Sequence, residues 1–242
     1  MLKFALLGER LDYSFSQRFF SALFEKKEIK ASYDNLEIAD LAHFMTHLDL
    51  NEYKGFNVTI PFKTEIIPYL EVLSPEAKAI GAVNTIKIEK GKLLGYNTDA
   101  FGFRQSIKPF LNNKHEKALI LGTGGASKAV EFVLKDIGLD VFKVSRNPDQ
   151  ENTFSYEEIN EYMMKACKVI VNCTPLGTFP NIMEMPACPT ELITQDHLII
   201  DLIYNPEKTK FLAESEKKGA LILNGYSMLQ EQALKSWEIW NA

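Results

Sequence analysis

Three groups of residues in this 242-residue chain have types and spacings that could do chemistry. The first is Gly122-Thr123-Gly124-Gly125-Ala126-Ser127, which follows the apolar run Ala118-Leu119-Ile120-Leu121 and precedes a helix-forming stretch through Leu134. A buried strand, a tight turn and a helix start produce this order. The turn's backbone must come close to something, because a Cβ at Gly122 or Gly124 would obstruct the approach. Unpaired amides at a helix N-terminus carry partial positive charge, so a phosphate fits there. A glycine-rich turn without a ligand is the alternative. Ser127 stands where a third glycine would be, and it is small enough to let helix pack on strand.

The second group centres on Lys63. Phe56, Val58 and Ile60 alternate with Asn57 and Thr59, as in a strand with one polar face. Pro61 suits the first position of a new helix, which places Lys63 in the first turn. A cation there is disfavoured by about 0.3–1 kcal/mol. A surface lysine tolerating that penalty and a lysine suited to proton transfer are both open readings. The third group is polar. Ser14 and Ser16 precede a Phe-rich helix, with Ser16 at the N-cap position, where it either caps or offers its hydroxyl to an anion. Asn84 begins a hairpin over residues 83–96, and Asn97-Thr98-Asp99 ends it. Asp99 either caps the helix that follows or presents a carboxylate.

Arg146 follows a strand at residues 140–145, about 20 residues beyond the glycines, where a nicotinamide site usually has a carboxylate for the ribose 2′-hydroxyl. A guanidinium there favours a 2′-phosphate and so NADP. His43 and His47 have the helical spacing of a metal pair but no third ligand, so no metal is expected. Cys167, Cys173 and Cys188 are odd in number and lack C-x-x-C pairing with histidines, which reads as free, mostly buried thiols in a reducing compartment, the cytoplasm.

These residues need a large framework, and 242 residues with 46% apolar and 24% charged content allow one large or two modest globular domains. A net charge of −5 argues against a nucleic-acid partner. No apolar run approaches the roughly 18 residues that cross a bilayer, and the apolar start at Met1 breaks off at Glu9, too short for a signal peptide. Strands are expected at residues 3–8, 29–36, 168–172, 198–202 and 220–223. Helices are expected at 39–48, after Ser74-Pro75, and at the end, where Leu229, Ala233, Trp237 and Trp240 form a stripe bordered by Gln232.

Taken together, the chain resembles the shikimate dehydrogenase family over nearly its whole length. The likeness is carried by Ser14-Phe15-Ser16, Asn57-Val58-Thr59-Ile60-Pro61-Phe62-Lys63, Gly81-Ala82-Val83-Asn84-Thr85, Gly95-Tyr96-Asn97-Thr98-Asp99 and the glycine turn. It continues through Asn172-Cys173-Thr174-Pro175-Leu176-Gly177, Asp201-Leu202-Ile203-Tyr204-Asn205-Pro206 and Met228-Leu229 ahead of Gln232-Ala233. The resemblance implies an α/β fold of two domains: a mixed-sheet substrate domain, residues 1–98 joined by helix 225–242, and a Rossmann-like dinucleotide domain, residues 99–224. The final helix then returns to the first domain, and a hinged cleft closes over the nicotinamide.

The implied reaction is the reversible NADP-linked reduction of 3-dehydroshikimate to shikimate, on the route to aromatic amino acids. Lys63 and Asp99 become the catalytic pair. Ser14, Ser16 and Thr59 surround the substrate carboxylate, with Tyr204 near it, while Asn57, Asn84, Asp99 and Gln232 bind ring hydroxyls. Gly122 to Ser127 hold the pyrophosphate, Ser145 and Arg146 the adenosine end, and Thr174 joins the cofactor side. The partners are small molecules only, with a monomer or homodimer expected. The chain departs from the family pattern at the loop 8–13, which lacks Pro and His, at Ser145, which replaces an Asn, and at Asp149 and Gln150, where a second basic residue is missing. A quinate-active or NAD-using relative and an inactive dinucleotide-binding regulator are the rival readings.

Overall fold

Alternating and continuous apolar runs sort into two sheets in the computed structural model, which describes residues 1–11, 14–148 and 152–242. The chain divides into two compact units, residues 1–102 with 231–242, and residues 103–230. Asp12, Tyr13, Asp149 and Gln150, on which two of the departures above fall, lie outside the described residues.

In the first unit β1 (Leu2–Gly8) pairs in parallel with β2 (Ala31–Glu37) and β3 (Gly55–Val58). The short β4 (Val72–Leu73) lies at the far edge, parallel to β6 (Lys92–Tyr96). The expected hairpin forms as β5 (Thr85–Glu89) and β6 (Lys92–Tyr96), antiparallel to each other, with β5 also antiparallel to β3. Lys90 and Gly91 both take positive φ (51° and 72°), the primed turn whose twist matches a hairpin. The sheet is therefore mixed, in the order β2-β1-β3-β5-β6-β4.

Helix α1 (Phe15–Lys26) turns Phe20 and Phe24 onto Phe4, Tyr33 and Trp240. Helices α2 (Leu41–His47) and α3 (Pro75–Ile80) follow, and the Ser74 hydroxyl caps α3 by accepting from the Ala77 amide at 3.1 Å. A Cβ at Gly55 would strike the Trp240 indole, which donates to the Ile86 carbonyl at 2.9 Å. Trp240 thus fastens the end of the chain to this sheet.

The second unit is a parallel sheet of β7 (Lys117–Leu121), β8 (Asp140–Val144), β9 (Thr153–Phe154), β10 (Val169–Asn172), β11 (Leu198–Asp201) and β12 (Leu221–Leu223). Its order is β12-β11-β10-β7-β8-β9. The strand order reverses between β7 and β10, the switch point at whose carboxyl ends open α/β sheets bind ligands. β10 and β11 are buried along their whole length, as near-continuous Val/Ile/Leu runs require. Helices α5 (Gly125–Asp136), α6 (Glu161–Ala166) and α7 (Lys210–Glu216) complete this unit.

The division falls inside α4 (Asp99–Ile107) and α8 (Tyr226–Asn241), a few residues beyond the expected boundaries at 98 and 224. Asp99 is held by side chains of the first unit, and Ala233, Trp237 and Trp240 pack into its aromatic core, so both helix segments belong there. Among the described residues no helix is long and apolar enough to cross a membrane.

Candidate active site

Lys63 does not stand in a helix. The backbone after β3 makes turns from Ile60 to Ile66, the Ile60–Pro61 bond is cis, and only a short 3₁₀ turn follows at Ile67–Tyr69. The Lys63 carbonyl accepts from the Val83 amide at 2.7 Å, which draws it out of any helical ladder. Lys63 therefore occupies no helix's first turn. A carboxylate takes its place: Lys63 Nζ lies 2.6 Å from Asp99 Oδ2, with side chains only 13% and 7% exposed. Removing one partner of so buried a pair typically costs about 3–5 kcal/mol.

Asp99 is free to do this because it is not the cap of α4. Asn97 fills that role, its Oδ1 accepting from the Ala100 amide at 3.1 Å. Asp99 Oδ1 instead accepts from Asn84 Nδ2 at 2.9 Å. Asn84 is itself fixed by the Thr98 amide, which donates to its Oδ1 at 2.7 Å. Gln232, on α8, brings its Oε1 to 3.4 Å from Asn84 Nδ2. On β3, Asn57 Nδ2 donates to Asn84 O, Thr85 Oγ1 and Ser236 Oγ at 3.0–3.1 Å. The polar face expected of this strand is thus buried, with Asn57 only 5% exposed, and it faces partners rather than water. Buried polar groups satisfied in this way rigidify a site, whereas each left unpaired costs about 1–3 kcal/mol.

The two serines separate. The N-cap position of α1 is Ser14, not Ser16, and its hydroxyl makes no capping bond. Ser14 Oγ is buried and has no hydrogen-bond partner among the described residues, a site for an incoming acceptor. Ser16 sits inside the first turn, buried, with its hydroxyl facing the Tyr33 phenol. Thr59 follows β3, half-buried, its amide bonded to Leu7 O at 2.9 Å. The first unit thus links Lys63, Asp99, Asn84, Asn57 and Gln232 in one network. Tyr204 belongs to the second unit, on the loop after β11. Thr85, Thr98, Ser236 and Tyr33 were missed by sequence reasoning. Ser236 carried one signal, its place one turn after Gln232 on the same helix.

In the second unit Gly122 follows β7 with φ +98°, and a Cβ there would come 2.9 Å from Thr174 Cγ2, so the protein itself requires this glycine. Around Gly124 nothing lies within 4 Å of an added Cβ, and this open cradle stands at the N-terminus of the 12-residue α5. Ser127 tightens the turn by donating to Gly124 O at 2.6 Å. Thr174 is fixed from behind: Asn172 Oδ1 accepts from its amide at 3.0 Å and its hydroxyl at 2.7 Å. Asn172 Nδ2 in turn donates to Asp201 Oδ1 at 3.0 Å, and Thr209 Oγ1 donates to Asp201 Oδ2 at 2.7 Å. Burial pushes the Asp201 carboxyl up to about 6 despite these bonds. Ser145 Oγ accepts from the Asn147 amide at 3.2 Å, and Arg146 is exposed, with no hydrogen bond or ion pair to a described residue. The open glycine cradle at a helix start and the exposed Arg146 guanidinium beyond the next strand are groups that could hold a nucleotide with a 2′-phosphate.

Among the described residues no group of three or more His, Cys, Asp or Glu could hold a metal. The rings of His43 and His47 do lie 4.3 Å apart, and His47 Nδ1 bonds to His43 O at 2.8 Å. All three cysteines are free, and burial pushes the Cys167 and Cys188 thiols up to about 11 and about 12.

Comparison with known proteins bears on this geometry. The family model described as the shikimate dehydrogenase substrate binding domain matches residues 6–86. The shikimate dehydrogenase (NADP(+)) of Clostridium beijerinckii is 38% identical over 98% of this chain and 91% of its own length. The chain belongs to the shikimate dehydrogenase family. Among solved shikimate dehydrogenases, number 1 from Peptoclostridium difficile superposes with a TM-score of 0.87 at 39% identity, covering 100% of this chain and 92% of that one. The Thermus thermophilus shikimate 5-dehydrogenase in complex with NADP(H) and shikimate gives 0.88 at 32% identity, covering 99% and 93%. The two units described above thus carry the substrate-binding and Rossmann-like folds of shikimate dehydrogenases.

Proposed function

We propose that this protein catalyses the reversible NADP-linked reduction of 3-dehydroshikimate to shikimate. The observation that carries the reading is the buried Lys63–Asp99 pair at 2.6 Å, set among amides and hydroxyls in a chain of this family. NADPH, when bound, supplies the hydride that reduces the ketone. The chain's part is to bind, orient and protonate. As the carbonyl carbon is reduced, negative charge develops on its oxygen. The Lys63 ammonium stabilises that charge and gives up a proton to it. Asp99 holds the amine in place through Oδ2 while Asn84 holds Asp99 through Oδ1. In the oxidative direction the same amine takes the hydroxyl proton.

A small polyhydroxylated acid explains the rest of the residue set. Ser14, Ser16 and Thr59 receive the carboxylate, and Asn57, Asn84, Asp99 and Gln232 the ring hydroxyls. Ser14 Oγ, without a partner among the described residues, supports this assignment, since a buried hydroxyl needs an acceptor. Gly122, Thr123, Gly124, Gly125, Ala126 and Ser127 cradle the pyrophosphate, backed by Thr174, while Ser145 and Arg146 face the adenosine phosphate. Tyr204 contributes to substrate binding.

Purified protein with NADP and shikimate, followed at the NADPH absorbance band, tests this directly. Shikimate-dependent reduction with a higher kcat/KM than for quinate is expected. A quinate preference would replace the substrate, and silence at millimolar shikimate would leave a dinucleotide-binding regulator. The carboxylate role of Ser14 is read from KM after Ser14→Ala.

A further inference from the structure

Asn57 belongs to the substrate group above, and besides the Asn84 carbonyl its amide is gripped at both ends by residues outside that group. A carbonyl oxygen can only accept, so the Tyr33 phenol donates a hydrogen bond to Asn57 Oδ1 at 2.8 Å. At the other end Asn57 Nδ2 donates to Ser236 Oγ at 3.0 Å and Thr85 Oγ1 at 3.1 Å. These two hydroxyls lie 2.8 Å apart, and Thr98 Oγ1 is 3.1 Å from each. Rotating the amide by half a turn would set its oxygen against the Asn84 carbonyl, 3.1 Å away, and against Ser236 Oγ, whose proton goes to Gln232 O; both can only accept, so they select the orientation in which Oδ1 meets the phenol.

The phenol is itself held rigidly. Its ring stacks on Phe20 with centroids 4.5 Å apart and planes 14° apart, and Tyr33 is 3% exposed. Burial pushes its ionisation upward, so it remains a donor throughout the working pH range. Its oxygen also faces the Ser16 hydroxyl, which ties the carboxylate side of the site to the ring side. Ser236 is anchored on α8 by donating to Gln232 O at 2.9 Å, one turn from a residue of the same group.

We infer that Tyr33 and Ser236 are positioning residues that clamp the Asn57 amide in the orientation that receives the substrate. This rests on the reading of Asn57 as a substrate-binding residue of a shikimate dehydrogenase. Their removal acts on recognition more than on proton transfer, because neither bonds to Lys63 or Asp99.

The test compares Tyr33→Phe, Ser236→Ala, Asn57→Ala and the pairwise doubles by steady-state kinetics with shikimate and NADP. Each clamp variant is expected to raise KM for shikimate about tenfold, as loss of one buried hydrogen bond does, while kcat changes by less than about threefold. KM for NADP stays put. Added to Asn57→Ala, neither clamp variant raises KM further, since the group it positions is gone. An unchanged shikimate KM, a fall in kcat instead, or additive effects in the doubles would overturn the inference. If Tyr33→Phe fails to fold, Ser236→Ala decides the matter from the other end of the amide. A wild-type protein that does not reduce NADP with shikimate would instead remove the functional reading on which this rests.

Discussion

Replacing Asp201 by Asn should make the second unit's stability respond differently to pH. Asp201 is fully buried, and its carboxyl is pushed up from 3.8 to about 6 by desolvation, against the pull of Thr209, the Ile203 amide and Asn172. Its folded value lies above its unfolded one, so between those values the folded protein binds more protons than the unfolded chain. Stability from this group is therefore highest below pH 4 and falls as pH rises through about 6. The difference between the folded and unfolded values corresponds to about 3 kcal/mol when fully expressed. Other carboxylates titrate in the same range, but they do so in both proteins and cancel in the difference. Asn cannot titrate, and its altered bond to Thr209 adds only a constant offset. The wild type should thus gain about 2 kcal/mol relative to Asp201→Asn on going from pH 7 to pH 4, the rest coming below pH 4.

Urea unfolding followed by far-UV circular dichroism at several pH values measures this. Tryptophan fluorescence would follow the other unit, because Trp237 and Trp240 both lie in the first. A difference that stays constant with pH, or that moves the opposite way, would refute a carboxylate penalised by burial.

Lys63→Ala should lower kcat by about 10²–10⁴-fold with little change in shikimate binding, and lost binding with normal turnover would contradict its role. Arg146→Ala should narrow the preference for NADP over NAD by about tenfold, as loss of a charge-assisted hydrogen bond does, and an unchanged ratio would exclude it from the cofactor site. Gly122→Ala should destabilise the fold by about 1–2 kcal/mol, because φ +98° is strained for any side chain and Thr174 stands 2.9 Å away; a melting curve reads this. Gly124→Ala should leave the melting curve nearly unmoved yet weaken NADP binding, since its Cβ meets no protein atom and fills the cradle; titration with NADP checks the second half.

Much of the architecture was legible because it follows from chemistry within a few residues. Ser74-Pro75 caps a helix through an amide three residues on, Lys90-Gly91 closes a hairpin, and the glycines after β7 turn into α5, each as its own side chains dictate. The buried runs 169–172 and 198–201 read as strands because no short element tolerates so many exposed branched residues. The types of the site residues were legible too, through their order along the chain.

Which of two local roles a residue adopts was decided only by distant partners. Lys63 was expected in a helix, but the Val83 amide, 20 positions away, captures its carbonyl and leaves the side chain to Asp99. Asp99 had a plausible cap role, which Asn97 takes instead, and Ser16 yields the cap position to Ser14. Asn57 finds Ser236 across 179 positions of sequence. Hydrogen bonds of nearly equal strength compete for each of these groups, and propensity cannot rank them. The packing of the sheet and of α8 settles the competition, because only it fixes which acceptor lies within 3 Å.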